Sequence, residues 1–163
     1  MEIPSLIAGV AGEYFVAAEL SRRGIIASIS LRNTRGIDIL ATDADGTRSI
    51  TVQCKTSQKG KAEWILNEKV ESFTAPNHYY VFVLLRGTDE RPSFHIVPSH
   101  QVAEAVRQDH HRWLATPGRS GRQHQDNSVR KFRDPAGTYM ERWDLLGFEQ
   151  TKPVSTPNSS LSS

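Results

Sequence analysis

The sequence predicts an α/β fold in which helices flank a central mixed β-sheet. Three observations carry this reading: helical spacing of apolar residues near the start and again after residue 99, alternating strand-like segments between them, and an Asp-Gly turn joining two of those segments. With 163 residues and 37% of them in the hydrophobic set, one domain over 1–150 can bury a sizeable core without a disulfide or structural metal. The single Cys54 has no cysteine to pair with. A cytoplasmic chain with no membrane association is expected. Its apolar runs fall far short of the ~20 residues of a span, and Met1-Glu2-Ile3-Pro4 lacks the basic-then-apolar order of a signal peptide.

Taken in order, Leu6, Val10, Tyr14, Ala17 and Leu20 predict a helix over 5–23, with Ser5 as N-cap and Gly24 past its end. Segments 25–31, 36–42 and 49–56 read as strands. The last two are joined through Asp43-Ala44-Asp45-Gly46-Thr47, where Gly tolerates the positive φ of a tight hairpin, so they are expected to be antiparallel neighbours. Residues 63–66 are expected to be extended, and 68–73 to form a short helix stopped by Pro76. An apolar strand at 79–85 and a shorter one at 94–97 follow. Ser99 is expected to cap a second long helix carrying Val102, Val106, His110 and Trp113 on one stripe. Segment 116–128, rich in Gly, Arg, Gln and Asn, reads as a loop, and 139–148 supplies aromatic and leucine side chains to the core. From 151 to 163 Ser, Thr, Pro and Asn dominate, which predicts a disordered tail.

The third strand carries the most informative pattern. With a side-chain period of two, Ile50, Val52 and Cys54 share one face while Thr51, Gln53 and Lys55 share the other. Asp38 faces away from Ile37 and Ile39 and can meet Gln53 across the hairpin. On an arbitrary hairpin such residues line a solvated face. Here the flanking strands are apolar enough to be central, and Glu13 lies on the apolar stripe of the first helix, where a carboxylate is costly unless paired or metal-bound. Glu19, with Arg22 and Arg23 at i+3 and i+4, is expected to make a surface ion pair.

Gly12-Glu13 in a helix, Gly36-Ile37-Asp38-Ile39 on one strand and Gln53-Cys54-Lys55 on the next resemble, in that order, the PD-(D/E)xK nuclease superfamily in its restriction-endonuclease-like and Holliday-junction-resolvase-like branches. This chain would be a QxK variant. Residues 79–85, Phe94-His95-Ile96-Val97-Pro98-Ser99 and Trp143-Asp144-Leu145-Leu146 extend the resemblance to a bacterial group within the superfamily. The resemblance implies a restriction-endonuclease-like αβββαβ core and a metal-dependent DNA endonuclease. By position it makes Asp38 the metal-binding Asp, puts Gln53 in the place of the second carboxylate, makes Lys55 the motif lysine and Glu13 the helical acid. The Cys54 backbone carbonyl would be a further metal ligand. Ile37 stands where the motif carries Pro.

Phosphodiester hydrolysis needs a deprotonated water and shielding of a phosphorus that gathers negative charge, both of which Mg²⁺ or Mn²⁺ supplies. Asp38, the Gln53 amide oxygen and a main-chain carbonyl suit such a hard ion, with Glu13 acting through water or at a second ion. An amide in place of a carboxylate removes one negative charge, so two outcomes stay open: catalysis, or an inactive nuclease-fold module for DNA binding or protein interaction. A small-molecule phosphohydrolase is a third, weaker reading. The net charge of +2 names no partner, but 107–133 holds seven Arg and Lys against Asp109 and Asp126, and Arg119, Arg122, Arg130 and Lys131 are the expected phosphate contacts. A homodimer acting on duplex or branched DNA would set two sites across two strands. His110, His111 and His124 lack zinc spacing, and Gly118 to Gly121 lacks the Lys-Ser/Thr ending of a phosphate loop.

Overall fold

The structure, a computed structural model, describes residues 2–31 and 36–148; the expected disordered tail at 151–163 lies outside the described residues. The chain runs α1 (Ser5–Ser21), β1 (Ile26–Ile29), β2 (Ile39–Thr42), β3 (Ser49–Ser57), β4 (Glu63–Asn67), β5 (His78–Leu84), β6 (Ser93–Pro98), α2 (Ser99–Ala115) and β7 (Val129–Arg133), with 3₁₀ turns at Glu68–Glu71 and Trp143–Leu146. Five strands form one sheet in the order β1-β2-β3-β5-β6. Strands β3 and β5 are parallel and the other neighbours antiparallel, which makes the sheet mixed as expected. Strands β4 and β7 form a separate antiparallel ribbon.

Strand alternation divides the interior into two cores. On one face Ile50, Val52 and Cys54 of β3 pack with Tyr79, Val81 and Val83 of β5 under Val16 and Leu20 of α1. On the other, Tyr80, Phe82 and Leu84 meet Val102 and Val106 of α2 and Trp64 and Phe132 of the ribbon. Every residue of β5 is buried, as befits a central strand covered on both faces. The hairpin turn is held by Asp43, whose carboxylate accepts the Thr47 N–H at 2.7 Å and the Arg48 N–H.

Several local expectations need correction. Ser5 and Ser99 are the first helical residues, behind Pro4 and Pro98, and neither helix has a side-chain cap. The Ser99 hydroxyl instead binds the Ala75 backbone, donating to its carbonyl at 3.0 Å. The parallel crossover from β3 to β5 is made by β4 and a 3₁₀ turn, and the second helix enters one strand later, after β6. Strand β7 went unread because its inward positions are Arg130 and Phe132, so its apolar alternation is broken by a buried cation. Glu19 is buried and not a surface pair: Arg22 and Arg23 bind it as expected, and Arg91 joins them at 3.0 Å.

Candidate active site

The site is built where β2 and β3 part. Their ladder ends at Ile39↔Val52, so Asp38, one residue earlier, stands opposite Gln53. Its backbone is held from both sides: its N–H donates to the Val52 carbonyl at 2.9 Å and its carbonyl accepts from Ser30 at 2.8 Å. Gly36 two residues earlier has φ of +70°, and a Cβ there would press on the Phe73 ring at 3.0 Å, so the approach to Asp38 requires glycine.

The Asp38 carboxylate reaches back to β3 and accepts the Cys54 N–H at 2.7 Å. In an extended strand the N–H and C=O of one residue point to the same edge. The Cys54 carbonyl is therefore directed to the side on which Asp38 lies. Burial pushes the Asp38 carboxyl above its ordinary range, and the Cys54 N–H and the Lys55 charge offset part of that shift. The Cys54 thiol is pushed well above its usual range, first by burial and then by Asp38 and Glu13, with Lys55 opposing. Both carboxylates thus act on the middle of Gln53-Cys54-Lys55.

Gln53 and Lys55 are half-buried on the sheet face opposite α1, in register with Tyr80 and Phe82 of β5. Tyr80 is a participant that sequence reasoning missed: burial and the Asp38 charge push its hydroxyl up to about 12. The available signal was the parallel register of β5, which is not visible in a single strand. Beside it His78 is buried, hydrogen-bonded to the Thr51 hydroxyl at 2.8 Å and held down at about 4 by burial.

Glu13 is half-buried on α1, on the helix that covers the other face. The preceding Gly12 explains how it gets there. A Cβ on Gly12 would lie 2.0 Å from the Thr56 hydroxyl oxygen, so only glycine lets α1 lie this close to the end of β3. The Gln58 side chain fixes the same junction by exchanging hydrogen bonds with the Ile3 backbone at 3.0 and 2.9 Å.

The basic segment behaves differently from expectation. Arg130 is buried, bound to Glu71 and to the carbonyls of Asn127 and Val129, so it is a structural cation and not an open phosphate contact. Lys131 is half-exposed and lies 3.4 Å from Glu63, while Arg133 pairs with Glu63 and Asp109 and Arg107 with Glu104. Arg119 and Arg122 are exposed on the loop 116–128. Among the described residues Lys59 and Lys61 make no salt bridge, whereas the Lys55 charge acts on the Asp38 carboxylate. Lys59 and Lys61 line a cleft of about 320 Å³ with Ser5, Thr56 and Gln58, directly beyond the β3 end. His110 is a packed residue, bonded to Asp126 at 2.8 Å and stacked on Trp113.

Among the described residues no three His, Cys, Asp or Glu side chains converge on a metal position, and no helix is long and apolar enough to cross a membrane. No family model and no curated protein matches the sequence. Among solved structures the chain is similar to Hjc of Archaeoglobus fulgidus, a Holliday junction resolvase from an archaeal hyperthermophile, with a TM-score of 0.51 over 87% of this chain and 98% of that one. Sequence identity is 16%, so the likeness is one of fold. The chain has the restriction-endonuclease-like fold, a central mixed sheet flanked by two helices.

Proposed function

We propose that the chain is a DNA endonuclease that hydrolyses phosphodiester bonds in duplex or branched DNA with Mg²⁺ or Mn²⁺. The observation that carries this is the junction of β2 and β3: the Asp38 carboxylate is tied to the Cys54 N–H, with Gln53 and Lys55 on one face, in a fold shared with a junction resolvase.

The donor set suits a hard dication. Burial leaves the Asp38 carboxylate short of solvation despite the Cys54 N–H and Lys55, a deficit that a bound cation would make up. With few charged donors, the fit is to an ion that keeps most of its water and not to a zinc cage. Asp38, the Gln53 amide oxygen and the Cys54 carbonyl would hold it, with Glu13 reaching it through water. When bound, such an ion lowers the pKa of its water and neutralises phosphate oxygens.

The chain's own part is positioning. Lys55, on the same face as Gln53, stabilises charge that gathers on the phosphate. Lys59 and Lys61, lacking carboxylate partners among the described residues, bind the backbone beyond the cut, and Arg119 and Arg122 extend the contact from their loop. Incubating the protein with supercoiled plasmid, four-way junctions and single strands in Mg²⁺ or Mn²⁺ tests this against Asp38→Ala and Lys55→Ala. Loss of cleavage in both variants supports the proposal. Cleavage that survives both removes it, and salt-sensitive binding with no cleavage by the wild type favours the inactive module.

A further inference from the structure

We infer that the Tyr80 hydroxyl is a further catalytic group of this site, donating a hydrogen bond to a non-bridging oxygen of the DNA phosphate held beside Lys55. The inference rests on the nuclease reading above. Strand β3 runs between β2 and β5, so Asp38, Gln53 and Tyr80 form one row across the sheet, with Lys55 two residues along from Gln53 on the same face. With strands ~4.8 Å apart and alternate residues about 7 Å apart, the Tyr80 and Lys55 backbones are separated by roughly 8 Å. Both side chains are long enough to meet one phosphate across that gap.

The Tyr80 ring is fixed in place. His78 meets it edge-on with 5.2 Å between centroids and Phe82 stacks on it at 5.8 Å, so the hydroxyl is positioned before any substrate arrives. Packing does not require that hydroxyl. Tyr80 is 1% exposed, and among the described residues its hydroxyl has no hydrogen-bond partner. The polar side-chain atoms sealed off without a partner among those residues are Thr56 Oγ1, His78 Nε2 and Ser93 Oγ. Tyr80 Oη is not one of them, so the sliver of exposure that the side chain keeps is at its hydroxyl. The neighbouring Tyr79 is the opposite case, on the other face, where its hydroxyl accepts from Arg48 at 3.2 Å. A buried tyrosine ordinarily finds such a partner, and Tyr80 holds its donor open toward the row that contains Asp38. Burial and the Asp38 charge keep the proton on that hydroxyl at neutral pH. A phosphate oxygen therefore meets a donor there and no added negative charge.

Tyr80→Phe removes the hydroxyl alone. In cleavage of a four-way junction with Mn²⁺ its maximal rate is expected to fall at least about tenfold, with half-saturating DNA within about twofold and the urea midpoint not lowered. A wild-type rate in Tyr80→Phe, with Asp38→Ala inactive, overturns the inference and leaves the nuclease reading standing. A lowered midpoint also overturns it, because the hydroxyl is then bonded within the protein. A second readout needs no cleavage: Asp38→Ala carrying 3-fluorotyrosine at its four tyrosines, in EDTA, is titrated with a short DNA duplex and followed by fluorine NMR. Adding Tyr80→Phe to that variant assigns the Tyr80 signal. DNA is expected to shift this signal, reversibly with salt, and to leave that of Tyr79 in place. If the wild type cleaves nothing, the nuclease reading fails by itself and this titration still decides the phosphate contact. An unmoved Tyr80 signal overturns it.

Discussion

Replacing Gly12 by Ala separates helix propensity from packing at the point where α1 meets β3. In an isolated helix a Gly→Ala change is worth about 1 kcal/mol in favour of Ala. At Gly9 nothing lies within 4 Å of the added Cβ, so Gly9→Ala should gain about that 1 kcal/mol. At Gly12 the same methyl would sit 2.0 Å from Thr56 Oγ1 and 3.3 Å from its Cβ, so the Thr56 side chain must turn aside and the strand or the helix give by a few tenths of an ångström. Overpacking of that kind costs typically 1–3 kcal/mol, which cancels or reverses the helix gain, so Gly12→Ala should be destabilising by up to about 2 kcal/mol. Removing the opposing side chain relieves the clash. Thr56 Oγ1 is buried without a hydrogen-bond partner, so Thr56→Ala costs little by itself, and the double variant should recover at least about 1 kcal/mol relative to additivity. Urea unfolding followed by circular dichroism gives all four values from the midpoints, provided m is unchanged. A Gly12→Ala variant as stabilised as Gly9→Ala, or a double variant that is simply additive, would refute the close approach of α1 and with it the account of how Glu13 reaches the site.

Three further outcomes follow from named contacts. Burial holds His78 near 4 in the folded chain against 6.5 in the unfolded one, so the unfolded chain alone takes up a proton between those values. Stability should fall as pH drops from 6.5 to about 4, by roughly 3 kcal/mol, and urea midpoints measured at both ends should lose most of that dependence in His78→Gln. Arg130→Ala should destabilise by about 2–3 kcal/mol, less than a fully buried pair because the Glu71 side chain keeps a quarter of its surface exposed; a shift below about 0.5 kcal/mol would count against its structural role. Lys59→Ala with Lys61→Ala should lower the slope of log affinity for DNA against log salt by about 2, and an unchanged slope would move the backbone path away from the β3 end.

How far the sequence could be read depended on whether a residue's role is local. The alternation of Ile50, Val52 and Cys54 against Gln53 and Lys55 is a property of one strand, and the core under α1 follows it. The β2–β3 hairpin was legible because its turn residues are contiguous. Arg130 was misread because its partner Glu71 is 59 positions away, and a cation in a basic run looks the same whether it faces solvent or a buried acid. Gly12 and Gly36 were visible as residues but not as reasons, since what excludes a Cβ there is Thr56 in one case and Phe73 in the other. Tyr80 belongs to the site only through the parallel pairing Gln53↔Tyr80, a contact no local pattern encodes.

The central claim is that Asp38 and Gln53 hold the ion that cuts DNA, and a Mn²⁺ titration of plasmid cleavage tests it most directly. Gln53→Glu restores one negative charge beside the ion and should lower the half-saturating Mn²⁺ on the order of tenfold, about 1.4 kcal/mol, while Asp38→Ala should lose at least about a hundredfold in rate at any Mn²⁺ concentration. Cleavage by Asp38→Ala at the wild-type rate, or a Mn²⁺ requirement unmoved by Gln53→Glu, would contradict it.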